Sequence, residues 1–199
     1  GGNSISLAHL SPFIEESRRF FKTEFDDLTD DQIERLVKMD IADGIQSIQY
    51  QLITMSTTNG QSPFTSLFMW INEVPEGRQR EDLKMAINEV LKQRLKGVKN
   101  KKGVYVTTAF PKLLYVLDEN NVHPGTEYWD LTKLAVECST KRLVPDYISA
   151  KKMRELKDGH VFPVMGCRSA LQPYYDENGV AKFYGRFNQG VVTLNLPDV

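Results

Sequence analysis

"PFTSLFMWI", Pro63–Ile71, is apolar almost without interruption. A strand with one wet face alternates apolar and polar residues, and this one does not. Its composition fits a strand covered on both faces, which is the habit of parallel sheets with helical crossovers. The flanking sequence supplies the helices. On the amino-terminal side, Thr29 followed by Gln32 reads as a capping box. Ile33, Val37, Ile41, Ile45, Ile48, Leu52 and Met55 then recur at steps of three or four on one helical face, and Asn59-Gly60 is the stop. On the carboxyl side, "EVPEGRQ" (Glu73–Gln79) is a turn before a second amphipathic helix. Leu83, Ile87, Val90, Leu91 and Leu95 face inward there, and Gly97 ends it.

The alternation continues. "GVYVTTAF", Gly103–Phe110, reads as another strand, which Pro111 either limits or leads into "KLLYVLDENN". A third helix is expected from about Thr126, with Leu131, Leu134, Ala135 and Cys138 on one face, ending before Pro145. A short helix over Ser149–Gly159 feeds "HVFPVMGCRS", a strand-like run with Cys167 at its carboxyl end. "YYDENGVAKFYG" turns at Asn178-Gly179 as a hairpin, and "GVVTLNLP" (Gly190–Pro197) is the last strand. Buried strands separated by such helices predict an α/β fold with a largely parallel sheet or barrel. In these architectures chemistry sits at the carboxyl ends of strands.

Composition narrows the function. The chain has 199 residues, 41% of them hydrophobic and 26% charged, as expected of one globular, soluble domain. A net charge of -1 gives no electrostatic reason to bind nucleic acid or an anionic membrane. No apolar run approaches the roughly 18 to 20 residues of a membrane span, and "GGNSISLAHLSPF" lacks the pattern of a secretory signal. Two cysteines without a Cys-x-x-Cys argue against a disulfide scaffold or cysteine-based zinc, and favour a reducing, intracellular home. Opening on Gly-Gly and stopping at "NLPDV", the chain reads as a piece of something longer.

Among candidate residues, Cys138 shares a face with Leu131, Leu134 and Ala135 and reads as a small hydrophobe. Cys167 stands after Gly166 and before two donors, Arg168 and Ser169, so packing and chemistry are both open for it. A Cys/His hydrolytic pair is disfavoured, because His160 lies about 20 Å away if the intervening residues are extended. "GRFNQG" (Gly185–Gly190) lacks the spacing of a phosphate loop, and "KQRLKGVKNKK" (Lys92–Lys102) reads as a solvated helix end. "TTNGQSPF", with Gln61, is either a plain turn or a binding loop.

Five stretches, "TTNGQSPFTS", "FPKLLYVLDENN", "YWDLTKLAVECSTKRLVPDYIS", "VMGCRSAL" and "GRFNQGVVTLNLP", together resemble the anaerobic, glycyl-radical ribonucleotide reductases. The resemblance is looser through "GGNSIS" and "SPFIEESR". It implies part of the family's ten-stranded α/β barrel, built of two antiparallel halves, with a finger loop through its centre carrying the radical cysteine, here Cys167. It further implies that a glycyl radical activates this thiol, that the thiyl radical takes the 3′-hydrogen of a ribonucleoside triphosphate, and that formate supplies the reducing equivalents. By the same resemblance Asn188 is an active-site amide, with Ser169, Gln61 and Arg168 as substrate-side groups. Nucleoside triphosphate effectors, an iron–sulfur radical-SAM activating enzyme, a homodimer and a cytoplasmic location follow as well.

The departures are equally specific. The 199 residues contain no Arg-Val-x-Gly-Tyr radical motif, no cysteine quartet for the family's zinc, no nucleotide cone and no second active-site cysteine. Residues 1–199 are therefore expected to be a single segment of the barrel domain, to bind no metal, and to be inactive alone. A formate-lyase type of glycyl-radical enzyme is the alternative, although those often carry adjacent paired cysteines and "GCRS" does not. A truncated binding or assembly module is the non-enzymatic one.

Overall fold

The computed structural model describes residues 2–56, 58, 60, 62, 64–165 and 170–185. Its centre is a four-stranded sheet in the order β1 (Gly2–Ser6), β2 (Phe64–Met69), β5 (Lys112–Leu117) and β6 (Asp146–Ser149). Every neighbouring pair in it is parallel. Helices α1 (Ser11–Glu24) and α2 (Asp30–Thr54) link β1 to β2. Helix α3 (Arg78–Lys96) and a small hairpin, β3 (Val98–Lys99) with β4 (Tyr105–Val106), link β2 to β5. Helix α4 (Trp129–Arg142) links β5 to β6. The α/β fold with a parallel sheet is thus what the sequence predicts.

Strand β2 shows why. Leu67, Phe68 and Met69 are all buried, yet consecutive side chains point to opposite faces. Leu67 and Met69, with Leu113 and Tyr115 of β5, enter the core shared with α1, α2, α3 and α4. Phe68, with Leu114 and Val116, points to the other face. There the cover is Ala150 of the short helix α5 (Ala150–Leu156) and the irregular segment bearing Val161 and Val164. Among the described residues the long helices thus lie on one side of the sheet, and α5 with the segment that follows it covers the other.

The capping box at Thr29 forms as read, with Gln32 N–H on the Thr29 hydroxyl and the Gln32 side chain returning to the Thr29 N–H. Helix α2 ends at Thr54, earlier than the apolar pattern predicts. Ile48 and Leu52 are half-buried and Met55 is exposed, because Gln49 takes the inward position and donates to Gln93 at 2.9 Å. Helix α3 stops at Gly97 as expected, in a positive-φ conformation (83°). A Cβ there would stand 2.6 Å from the Val106 carbonyl oxygen, so only glycine lets the hairpin back onto the helix end.

Several elements differ from the reading. The run Gly103–Phe110 supplies only the two paired residues of β4, with Val104, Tyr105 and Val106 exposed. The sheet strand begins after Pro111. Residues 107–111 are tied to helix ends instead: Arg94 donates to the Thr108 and Pro111 carbonyls, and Arg142 donates to the Thr107 hydroxyl and to the carbonyls of Leu95 and Lys96. Helix α4 starts at Trp129, because Thr126 closes a turn onto the His123 carbonyl. Ser149 caps α5. The hairpin at Asn178-Gly179 is present as β7 (Tyr174–Tyr175) and β8 (Ala181–Lys182), its turn held by Asn178 and Val180 amides on the Asp176 carboxylate. The "GVVTLNLP" strand lies outside the described residues.

Candidate functional site

The carboxyl ends of the four parallel strands share one edge, where α/β proteins gather chemistry. Strand β5 ends at Leu117, and Asp118 continues its face parity with Leu114 and Val116, toward the side without long helices. Trp70 continues Phe68 in the same way and packs on the same cluster. Asp118 is 6% exposed. Its carboxylate accepts from Trp70 Nε1 at 3.0 Å, Asn72 Nδ2 at 2.9 Å, the Glu119 amide at 3.0 Å, and Arg154 Nη1 and Nη2 at 3.0 and 2.8 Å. The Arg154 guanidinium also lies 5.8 Å from the centre of the Trp70 ring. Next to this cluster Asn72 and Asn120 pair through both amides, at 2.7 and 3.1 Å. Asn121 accepts from the Asp118 amide and donates to the Val116 carbonyl, which fixes the turn.

Burial by itself would raise the Asp118 carboxyl. The donors from Arg154, Asn72, Trp70 and Glu119 outweigh it and hold the group well below the usual carboxylate range. The stabilisation is therefore complete above the unfolded value near about 3.9 and is lost as pH falls through the lower folded value. Asp118 is ionised at neutral pH with its lone pairs occupied, which suits a fastener and not a base. The sequence reading assigned it no role. Its position straight after the apolar run "KLLYVL" was the available signal.

From α5 the chain leads toward Cys167. Gly159 N–H bonds the Arg154 carbonyl, His160 N–H the Lys157 carbonyl, and Phe162 N–H the Met153 sulfur at 3.4 Å. Residues 160–164 form no strand, contrary to expectation, and only Met165 makes a bridge. Pro163 cannot donate to a ladder, and Val161 and Val164 lie across the sheet face instead of within it. Phe162 and Met165 are buried. Phe183, just beyond the hairpin, packs tilted against Phe162 at 5.3 Å and edge-on against His160 at 5.1 Å, so residues 160–162 and the end of the hairpin are held together. Cys167, Arg168, Ser169, Asn188 and Gln61 lie outside the described residues.

Cys138 is placed where the sequence put it. It is fully buried in the helix-side core, and burial pushes its thiol up. The sheet separates it from Val161 and Val164, so it is no partner for chemistry on that face. Among the described residues no three His, Cys, Asp or Glu side chains gather to hold a metal ion, and no helix is long and apolar enough to cross a membrane. A cleft of about 510 Å³ lined by Gln46, Gln49, Tyr50, Lys92, Lys96 and Tyr105 opens among α2, α3 and the β3–β4 hairpin. Those elements belong to the helix side, so the cleft is remote from the Asp118 cluster.

A parallel sheet with its long helices on one side, and on the other a segment with Phe162 and Met165 buried that leads by sequence into "MGCRS", is the setting in which the family of this chain becomes plain. The chain belongs to the anaerobic ribonucleoside-triphosphate reductase family, a family of oxidoreductases, whose model matches residues 1–199. Among curated relatives, the anaerobic ribonucleoside-triphosphate reductase of Enterobacteria phage T4 is 34% identical over 200 residues, covering 96% of this chain and 31% of the relative. That of Salmonella typhimurium is 31% identical over 207 residues, covering 100% of this chain and 28% of the relative. That of Escherichia coli is 35% identical over 159 residues, covering 79% and 21%. The chain therefore spans less than a third of the length of these relatives.

Proposed function

We propose that residues 1–199 are one segment of the catalytic barrel of an anaerobic ribonucleoside-triphosphate reductase, and that Cys167 is its hydrogen-transferring thiol. The observation that carries the reading is the path of the chain: the segment ending at buried Met165 crosses the sheet face free of long helices and leads by sequence into Gly166-Cys167. A ten-stranded barrel continues this arrangement, with α1 to α4 outside and the Cys167 loop as a finger within. The glycyl radical of the family, provided from outside these residues, supplies the acceptor for the thiol hydrogen atom.

The work of this chain is then hydrogen exchange. The Cys167 sulfur takes the 3′-hydrogen atom of the ribose, and S–H and activated C–H bonds are close enough in strength for the transfer to run both ways. A proton joins the departing 2′-hydroxyl to give water, and formate is oxidised to carbon dioxide as the two-electron reductant. The sulfur then returns its hydrogen atom to C3′, which restores the thiyl radical. Asn188 offers a donor and an acceptor to the ribose hydroxyls or to formate. Ser169, Gln61 and Arg168 are substrate-side groups. Radical transfer needs direct contact and exclusion of water, which a buried approach segment favours. Lacking the radical glycine motif, the segment is inactive by itself. Nucleoside triphosphate effectors, an iron–sulfur activating enzyme, a homodimer and a cytoplasmic setting complete the proposal for the longer chain.

The test uses the activated full-length reductase, under anaerobic conditions, with carbon-labelled formate. Labelled carbon dioxide should appear in step with deoxynucleoside triphosphate. Deoxynucleotide formed from a dithiol protein without formate oxidation would remove formate from the scheme. Failure to form deoxynucleotide under either condition would count against the reductase itself.

A further inference from the structure

We infer that Asp118 is a positioning residue: by gripping Arg154 it fixes α5, and through α5 the root of the segment that enters the Cys167 loop. The inference rests on the proposed role of Cys167 and adds a residue to it. Helix α5 has seven residues, too few to be stable on its own. Ala150 is its buried residue, and Lys151, Lys152, Glu155 and Leu156 are exposed. Beyond its Ser149 cap and its junction with β6, its side-chain hydrogen bonds to the rest of the described residues run through Met153, which accepts from Phe162, and Arg154, which makes a two-pronged ion pair with Asp118. Such bidentate pairs combine strength with directional control.

The chain downstream hangs on the same helix. The Arg154 carbonyl receives the Gly159 amide and the Lys157 carbonyl receives the His160 amide, so residues 159–162 take their course from α5. Asp118 is itself set just past the end of a buried central strand and held by Trp70 and Asn72 from the turn that follows β2. A displacement of α5 would therefore pass along the backbone to residues 160–165 and into the loop. Misplacement of a reacting group by about 1 Å costs up to roughly 100-fold in rate. Asp118 touches no reacting atom in this scheme, so its loss should lower kcat and leave KM nearly unchanged.

The experiment compares Asp118→Asn, Asp118→Glu and Cys167→Ala in the full-length reductase, each by turnover and by hydrogen exchange. Asp118→Asn should lower kcat by about tenfold or more, with KM for the ribonucleotide little changed. Amides of residues 150–162 should exchange faster while those of β2 and α3 keep their protection. Asp118→Glu, which keeps the charge, should recover part of kcat and of the protection. Unchanged exchange over 150–162 in Asp118→Asn overturns the clamp. Faster exchange with wild-type kcat shows a clamp that does not position the thiol, which also overturns the inference but leaves the role of Cys167 intact. Turnover by Cys167→Ala would instead strike the role of Cys167, and the positioning of that thiol with it, whatever exchange shows.

Discussion

Cys167→Ala in the full-length chain is expected to abolish formation of deoxynucleotide while the protein still folds and binds ribonucleoside triphosphate. The expectation follows from the chemistry asked of the side chain. Alanine has no S–H bond, so hydrogen-atom exchange with C3′ has no carrier. Serine fails for a different reason: its O–H bond is too strong for an alkoxyl radical to be formed by a carbon-centred one. Cys167→Ser should therefore be as inactive as alanine, although it preserves a donor and nearly the same volume. A thiolate mechanism would predict otherwise for pH, with activity tracking ionisation of the thiol. Nucleotide binding is the control, since in the proposed scheme Asn188, Ser169, Gln61 and Arg168, and not the sulfur, hold the substrate. Equilibrium binding and anaerobic product analysis on the same preparations check both halves of this prediction.

The second large effect is on stability. Arg18 lies between α1, α2 and α3, with its side chain only 7% exposed. It donates to Asp82 at 2.6 and 3.2 Å, to Glu34 at 2.8 Å and to Glu15. Asp82 is 1% exposed. Burial by itself would make the guanidinium easier to deprotonate, but Asp82 and Glu34 outweigh it and hold the proton more firmly than usual. Arg18→Ala leaves Asp82 buried with Arg78 Nε at 3.5 Å as its remaining ion pair. Stranding one partner of a buried pair costs about 3–5 kcal/mol. Loss of that size in the opening free energy of α1 amides, by native-state exchange on the full-length chain, is the expected result. The double replacement Arg18→Met with Asp82→Leu removes both charges and should cost much less, as apolar substitutes for buried ion pairs are often tolerated. A loss below about 1 kcal/mol for Arg18→Ala would mean that the pair is effectively solvated.

The same arginine explains why α1 was not legible in the sequence. Its inward positions are Ser11, Ile14 and Arg18, while Phe13 and Phe20 point outward. Apolar periodicity reads the wrong face of such a helix. Strands β1, "GNSIS", and β6, "DYIS", are short and polar because they are the outer members of this four-stranded sheet. They lack the two-sided burial that made β2 readable. That strand and helices α2 to α4 were legible because their inward residues are mostly aliphatic and regularly spaced. For β5 the sequence left two readings of Pro111, and tertiary ties from Arg94 and Arg142 select the later strand.

The candidate site divides in the same way. "MGCRS" is a local signal, and it could be read without knowing the fold. The Asp118 cluster is not local: Trp70 and Asn72 lie 48 and 46 residues from Asp118, and Arg154 lies 36 away. The parallel register of β2 on β5 brings Trp70 and Asn72 to Asp118, and the pairing of β5 with β6 brings α5 and Arg154 to the same edge. The apolar composition of His160 to Met165 made its burial legible in part, at Phe162 and Met165, while the rest is half-buried. Its lie across the sheet was not, since a proline in an apolar run marks where a ladder fails without saying where the chain goes.

One measurement bears most directly on the role assigned to Cys167: release of tritium from ribonucleoside triphosphate labelled at C3′, by activated full-length enzyme carrying either cysteine or alanine at that position. Transfer of the 3′-hydrogen to this sulfur predicts release of a small fraction of the label by the cysteine enzyme, through solvent exchange of the thiol before the hydrogen returns to C3′, and none above background by the alanine variant. Equal release from both would show that some other group takes the hydrogen, and would contradict the account.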